Sequence, residues 1–386
     1  MKNKCLNCKS DKFIKIFHAK KFPLFFGAIP KEGLNKINYY PLTISKCKRC
    51  NLIQQVNLLD QDIINSIYTA SYYNCSSTVV SGLLKKEKVF FVDFLNAGKL
   101  KSGEVLEVAC YDGYVLDLLK NKGWDVYGCD PNPMVKFAQK KFGSNILPEM
   151  FDKKSFGSKK FDIIFFRNLL EHLYDTSKFL KEVKAKLKKN GSIYIEVPNV
   201  YNVLNGSVFG SFFHQHISYF SIETLKFLLN QNGFDIERYY AGDFLIVEAK
   251  VKKNMIDKKA NNSQKVNFYI SEYNKTYSKY VKKFYSFFNN PKINKICLFG
   301  ASAQSTSMIN LLNSKQKDKI KIIIDNDSNK IGKYMIGTNI KIKSPNEISS
   351  KDFDYALVMS FMYYEEMKEN LKIVGIKEDK IQSLYD

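Results

Sequence analysis

The stretch Val105-Leu-Glu-Val-Ala-Cys-Tyr-Asp-Gly-Tyr114, followed by Trp124-Asp-Val-Tyr-Gly-Cys-Asp-Pro131, leaves this chain few folds to adopt. An apolar run ends in an acid, a turn contains Asp-Gly, a helix-like stretch follows, and a second apolar run ends in Asp130. That is one β-α-β unit. Parallel strands joined by a helix belong to a sheet covered on both faces, so the chain reads as α/β.

Each position in the unit has a task. Glu107 lies near the end of the first strand, and Gly113 lets the backbone turn closely past a ligand. Asp130 arrives at the carboxyl end of the next strand, where a carboxylate accepts hydrogen bonds from ribose hydroxyls. The unit lacks a full G-x-G-x-x-G, so no pyrophosphate needs cradling. The pattern therefore favours S-adenosylmethionine (SAM) over a dinucleotide, with Glu107, Asp112, Gly113 and Asp130 around it. Phe151 is the candidate apolar wall for the adenine, because apolar side chains line such pockets. Taken alone, any α/β crossover with a glycine turn has the same look.

At 386 residues the chain is long enough for two or three domains, each with its own core. It holds no apolar run of the ~18 residues a membrane helix needs, and Met1-Lys-Asn-Lys-Cys5 lacks the apolar segment of a signal peptide. A cytoplasmic location, with no membrane partner, is the expectation. The formal net charge of +22 raises nucleic acid as a partner. The Lys excess is spread along the whole chain with few Arg and no dense basic run, which points instead to composition bias and small anionic partners.

The cysteines fall into two groups. Cys5-Leu-Asn-Cys8 and Cys47-Lys-Arg-Cys50 are two C-x2-C knuckles, whereas Cys75, Cys110, Cys129 and Cys297 are scattered. Two knuckles can close a four-thiolate zinc site, and a cytosolic setting disfavours disulfides. Four thiolates leave no open position for a substrate, so the zinc is expected to be structural. A hairpin or loop between Asp11 and Pro41 fills the long spacer.

Residues 1–70 thus form a zinc-binding module and 71–102 a helical connector, with a helix-like stretch from Leu83 to Ala97. A SAM-binding domain of Rossmann type spans 103–250, with Phe161–Phe166 and Ser192–Val197 as buried central strands. In 251–290, Phe268, Tyr273, Tyr277, Tyr280, Phe284 and Phe287 recur at helical spacings, predicting a linking helix that packs against a domain. From Lys295 a second α/β pattern begins: Ile296-Cys-Leu-Phe-Gly-Ala-Ser302, Ile322-Ile-Ile-Asp325 and Tyr355–Ser360. Residues 291–386 read as a small Rossmann-like domain that either holds a nucleotide-bearing ligand or only packs.

The order of these parts resembles the sugar C-methyltransferases of deoxysugar biosynthesis over nearly the whole chain. The matching strings are the two knuckles with Cys50-Asn-Leu-Ile-Gln54, Glu107-Val-Ala-Cys-Tyr-Asp-Gly113, Asn168-Leu-Leu-Glu-His172, Phe213-His-Gln-His-Ile-Ser-Tyr-Phe-Ser221, Ala241-Gly-Asp-Phe-Leu245 and Ile324-Asp-Asn-Asp-Ser-Asn-Lys-Ile-Gly-Lys333. The resemblance implies methyl transfer to carbon 3 of a nucleotide-linked 4-keto-deoxysugar. A base removes the acidified proton, and the enolate attacks the sulfonium methyl. His216 matches the family's catalytic histidine, and Asn168 stands where the family places an active-site amide. His172 is expected to pack or cap. Candidate substrate contacts are His214 and Asn199, with Gly300, Ala301, Ser302 and Asp325 in the last domain for the nucleotide sugar.

Two positions depart from the family. The usual Tyr-His-Glu-His is here Phe213-His-Gln-His216, so a phenol and a carboxylate are missing. Gln215 can donate a hydrogen bond but cannot act as a base, and Tyr72 or Tyr73 could supply the phenol. The alternatives are therefore O- or N-methylation of a nucleotide sugar, a zinc-containing RNA methyltransferase, and a non-enzymatic binding module.

Overall fold

The computed structural model describes residues 4–24, 27–69, 82–205, 212–252, 263–360 and 363–384. Tyr72, Tyr73 and Cys75 lie outside the described residues.

Strands β1 (Phe13–Pro23), β2 (Ala28–Ile29), β3 (Tyr39–Cys47) and β4 (Ile53–Gln55) come first. β1 and β3 pair antiparallel with Phe13 opposite Cys47, so the long spacer between the knuckles is a hairpin that carries the second knuckle back to the first. β4 then runs antiparallel to β3.

The central domain follows with β5 (Glu104–Val108), β6 (Asp125–Cys129), β7 (Ile146–Leu147), β8 (Phe161–Arg167) and β9 (Leu187–Pro198). β10 (Ser218–Tyr219), β11 (Phe234–Ala241) and β12 (Phe244–Val251) complete it. The seven-stranded sheet has the order β11-β12-β9-β8-β5-β6-β7. β12 runs antiparallel to both its neighbours, while the pairings from β9 to β7 are parallel. From β5 the chain winds one way to β6 and β7, then returns to β8 and winds the other way. The topological switch point lies between β5 and β8, and ligands of such sheets bind at the carboxyl ends there.

The helix Gly82–Asn96 is part of this domain rather than a separate connector. Phe91, Val92 and Leu95 are buried in one cluster with Val105, Leu116, Trp124, Ile163 and Phe165. The single tryptophan, fully buried, donates its indole N–H to Asn96 Oδ1 at 2.9 Å, so its polar end is satisfied by that helix.

β10 leaves the central sheet altogether. It pairs antiparallel with β4, adding a fourth strand to the N-terminal sheet, in the order β1-β3-β4-β10. The N-terminal module is thus sewn to the segment just after Phe213–His216.

The helix Ser263–Asn289 has 27 residues and spans about 40 Å at 1.5 Å per residue. Val266 and Tyr273 are buried against the N-terminal sheet's core, and Phe284 and Phe288 against that of the C-terminal domain, so its two ends pack on two different cores. Phe268 departs from the expected face: it is 60% exposed, because the packed face runs through 266, 273, 284 and 288.

The last domain contains β13 (Ile296–Phe299), β14 (Ile320–Ile324), β15 (Tyr334–Met335), β16 (Ile342–Lys343), β17 (Tyr355–Val358) and β18 (Ile381–Ser383). Its five-stranded sheet has the order β16-β14-β13-β17-β18 with every pairing parallel, a second doubly wound arrangement. β15 pairs with β2, and Gly27 N–H donates to Thr306 Oγ1 at 2.9 Å, so the N-terminal module also grips this domain. Among the described residues, no helix is long and apolar enough to cross a membrane.

Candidate functional site

The loop after β5 turns sharply at alternate residues. Ala109, Tyr111 and Gly113 have φ of 66°, 51° and 76°, so two non-glycine residues occupy the left-handed region within one short loop. Each costs roughly 1–3 kcal/mol, a strain that persists where the surrounding structure imposes it. Asp130, at the end of β6, imposes it here: Oδ2 accepts from Tyr111 N–H at 2.8 Å and Oδ1 from Asn132 N–H at 2.7 Å. Asp112 Oδ1 accepts from Tyr114 N–H, and both acids are buried. Burial also raises the Asp130 carboxyl's pKa, against the pull of its two backbone donors.

Gly113 is needed for a neighbour as well as for its turn. A Cβ there would stand 2.7 Å from Ala138 Cβ, on the helix Val135–Phe142. Gly113→Ala is therefore expected to destabilise the domain by about 2–5 kcal/mol through backbone strain plus overpacking, and to weaken SAM binding. Denaturant unfolding alongside a SAM titration checks it; a variant as stable as the parent would remove the packing argument.

Glu107 is buried near the end of β5, and its Oε2 has no hydrogen-bond partner. Burial pushes its carboxyl well above the usual range, while the nearby Arg167 and Lys88 pull it down. An orphaned buried carboxylate costs about 1–3 kcal/mol or more unless a cation or donor meets it. SAM carries an ammonium on its amino-acid end, so Glu107, the 109–113 cradle and Asp130 together fit it. Phe151 is half-buried and packs edge-on to Phe179 at 6.0 Å, against the rim of the main core cluster.

Asn168 follows β8 directly, exposed and in the left-handed region with φ of 48°, which Asn tolerates. Two residues on, a short helical turn over Leu170–His172 brings Glu171 and His172 under the histidine loop. Rings of His172 and His216 meet edge to face at 4.8 Å, and Phe213 lies 4.2 Å from the His216 ring. His172 Nδ1 pairs with the Gln215 carbonyl at 2.8 Å, which sets the Nδ1–H tautomer. Both imidazoles are held neutral: burial lowers His172 to about 4, and burial, with repulsion from His172 whenever that ring is protonated, lowers His216 well below the ordinary histidine value.

Glu171 was not visible as a functional residue in the sequence, although an acid set behind Leu169-Leu170 in a buried run is a signal. It is 1% exposed, neither carboxylate oxygen has a hydrogen-bond partner, and burial raises its carboxyl to about 8. Oε1 stands 3.8 Å from His172 Nε2 and 4.0 Å from His216 Nε2.

His214 is not brought to this cluster. It packs edge-on against Phe22 and Tyr40 of the N-terminal hairpin, with burial lowering it to about 4. Gln215 is 1% exposed and its Nε2 lacks a partner. The loop is held from the other side by Gln55 of β4, whose side-chain amide donates to the carbonyls of Phe213, His214 and His216 at 3.1, 2.8 and 2.7 Å.

Cys5, Cys8, Cys47 and Cys50 converge, all buried. Sγ of Cys5 lies 3.4 Å from Cys50, and Sγ of Cys8 lies 3.5 Å from Cys47. The residue after each knuckle, Lys9 or Asn51, is left-handed, with φ of 61° and 63°, so the two knuckles turn alike. Hydrogen bonds from Cys5, Cys50 and the backbone favour a thiolate at Cys47, whereas the Cys5 thiol is pushed up to about 12, chiefly by its bond to Cys47. Four clustered sulfurs at least one of which ionises readily are a donor set suited to a metal ion.

Asn199 caps the helix Val200–Leu204 and donates to the Gly242 carbonyl at 2.9 Å, lining a groove of about 480 Å³ with Tyr201, Asp243, Lys265 and Tyr269. In the C-terminal domain the parallel pairing brings Gly300–Ser302 and Asp325 together. Asp325 Oδ2 accepts from Ala301 N–H at 2.7 Å and pairs with Lys330 at 3.1 Å, and Ser302 caps the helix Ala303–Ile309.

Residues 84–239 match a family described as a methyltransferase domain, and residues 292–382 one described as C2185-like, N-terminal. A C-methyltransferase, NovU, from Streptomyces niveus is 22% identical over 62% of this chain. A ubiquinone biosynthesis O-methyltransferase from Pelagibacter ubique is 33% identical over 26% of it. The chain spans 58% and 44% of those two proteins' lengths. A 1,6-didemethyltoxoflavin-N1-methyltransferase from Burkholderia thailandensis is 16% identical and aligns over 55% of this chain and 96% of its own, with a TM-score of 0.39. The stretch 84–239, with its switch-point cradle, is a SAM-dependent methyltransferase domain of the class I, Rossmann-like fold.

Proposed function

We propose that the chain is a C-methyltransferase that places a methyl group on carbon 3 of a nucleotide-linked 4-keto-deoxysugar, with a structural zinc on Cys5, Cys8, Cys47 and Cys50. The observation that carries this reading is the packing of the His216 ring on His172, in the turn that follows β8 at the switch point of the sheet. SAM, when bound, supplies an electrophilic sulfonium methyl.

The chain's own residues do the rest. Glu107, Asp112 and Asp130 orient the donor, and the buried surroundings keep His216 neutral, so it is ready to take a proton from carbon at neutral pH. The electron pair of the C–H bond becomes the enolate, and Asn168, at the strand end, hydrogen-bonds the sugar oxygen. The strand ends of the C-terminal sheet, around Gly300–Ser302 and Asp325, are the proposed seat of the nucleotide. The spread of lysines then favours an anionic small molecule over RNA as partner, in a cytoplasmic setting.

A second reading, methyl transfer to oxygen or nitrogen of such a sugar, is favoured by one feature: Phe213 and Gln215 provide neither phenol nor carboxylate. Deuterium incorporation at carbon 3 of a nucleotide-linked 4-keto-6-deoxysugar in heavy water separates the two. Exchange with a gained methyl on SAM addition is expected. Methylation without exchange would move the chemistry to a heteroatom.

A further inference from the structure

We propose that Glu171 is a positioning residue for His216: its carboxylate takes the Nε2–H of that imidazole, fixes the tautomer that leaves the lone pair on Nδ1, and stabilises the imidazolium formed when Nδ1 accepts a proton. This rests on His216 being the base of the reaction proposed above.

Glu171 Oε1 faces His216 Nε2 at 4.0 Å, and neither of its oxygens has a hydrogen-bond partner although the side chain is 1% exposed. Such a group is unstable on its own account and needs a donor. Its backbone carbonyl accepts from Ile217 N–H at 2.8 Å, so the turn that carries the carboxylate is bonded to the residue next to His216. The distance is long for a hydrogen bond, but catalytic contacts of this kind tighten when substrate closes the site. His172, the other facing group, has its Nδ1–H committed to the Gln215 carbonyl, so its Nε2 brings a lone pair and no proton toward the acid. Among the described residues, that leaves the Nε2–H of His216 as the donor within reach. The carboxylate missing at position 215 is thereby supplied from the far side of the ring.

The active state holds Glu171 as carboxylate and His216 neutral with its proton on Nε2. When Nδ1 takes the carbon-bound proton, the positive ring faces a negative carboxylate, and the proton then leaves to solvent. Among the described residues, the charged or titratable groups facing Glu171 are His172 and His216, with Glu196 adding a repulsion that raises the carboxyl further; Glu196 is itself paired to Arg167 at 2.6 Å. With the free carboxyl at about 8, activity rises with pH as Glu171 loses its proton.

The test is Glu171→Gln in the full-length protein. kcat is expected to fall about 10²–10⁴-fold with little change in KM, the limb near pH 8 to vanish, and Glu171→Asp to recover part of the rate. A full rate, or a lowered rate that keeps the limb, overturns the proposal. If no sugar is turned over by the parent protein, the substrate assignment has failed, and nitrogen-15 spectra of the four histidines still decide whether Glu171 holds the His216 tautomer. His216, assigned by His216→Asn, should show its proton on Nε2 at pH 9 in the parent and lose that preference in Glu171→Gln. An unchanged spectrum overturns the dyad. So does a second divalent metal per chain that disappears in Glu171→Gln, because Glu171, His172 and His216 would then be its ligands.

Discussion

His216→Asn should lower turnover by about 10²–10⁴-fold, or ~2.7–5.5 kcal/mol of transition-state stabilisation, while SAM binding stays unchanged. The substitution removes the imidazole and little else. Gln55 reaches the backbone carbonyl of His216, not its side chain, so the loop stays strapped to β4. The proposed donor cradle around Glu107 and Asp130 belongs to different loops, and its strain is imposed by the Asp130–Tyr111 bond. The size of the loss follows from the ring's surroundings. Phe213 and His172 pack on it, so the ring is only partly open to solvent and a water there is a far weaker base than imidazole. The sign with pH is also fixed: burial lowers the His216 pKa, so its neutral form persists through pH 6–7, and protonation of this ring does not limit activity there. Parallel kcat and SAM titrations check the prediction; retained turnover with the variant folded would take His216 out of the role of base.

What could be read in the chain was whatever depends on local chemistry. The β-α-β unit at 105–131, the paired knuckles and the strand-Gly-helix of 296–302 each announce themselves through residues next to one another. Even there, the text of the loop was richer than a glycine count. Ala109 and Tyr111 hold left-handed positions that glycine would fill at no cost, so a search for glycines passes over a cradle whose true period is the alternation 109, 111, 113. Gly113 was legible as special, but its steric reason, Ala138 across the turn, lies 25 positions along and only folding brings it near.

The parts that stayed hidden are long-range. Gln55 lies about 160 residues from the loop it binds, and the pairing of β10 with β4 is set by which strand edge is free, not by either short sequence. His214 and His216 look alike in the sequence, two residues apart. Folding turns one into the aromatic hairpin and the other toward Glu171. Likewise Phe268 shares the helical spacing of its aromatic neighbours, and only the path of the packed face tells that it is outside.

That same long-range stitching makes the cysteine cluster the most consequential feature away from the chemistry. Binding of a structural zinc to thiolates is worth about 10–16 kcal/mol and is drawn directly from folding of the element it closes. Here the element is the two knuckles, and Cys47 is at once a ligand candidate and the last residue of β3. Through β3 the order passes to β4, from β4 by pairing to β10 and by Gln55 to the carbonyls of Phe213, His214 and His216. The proposed donor cradle rests on a separate cluster on the other face of the sheet, around Phe91, Val105, Cys110 and Trp124. Cys47→Ser, or chelation of the parent protein, should therefore abolish methyl transfer yet leave measurable SAM binding, with about one equivalent of zinc lost per chain by elemental analysis. Acid should act in the same direction, because protons compete with the metal for thiolates. Re-addition of zinc to the chelated protein should restore the rate. Full turnover after complete metal loss would show that the histidine loop is held without the module, and a joint loss of SAM binding would show that the two halves of the sheet fold as one unit.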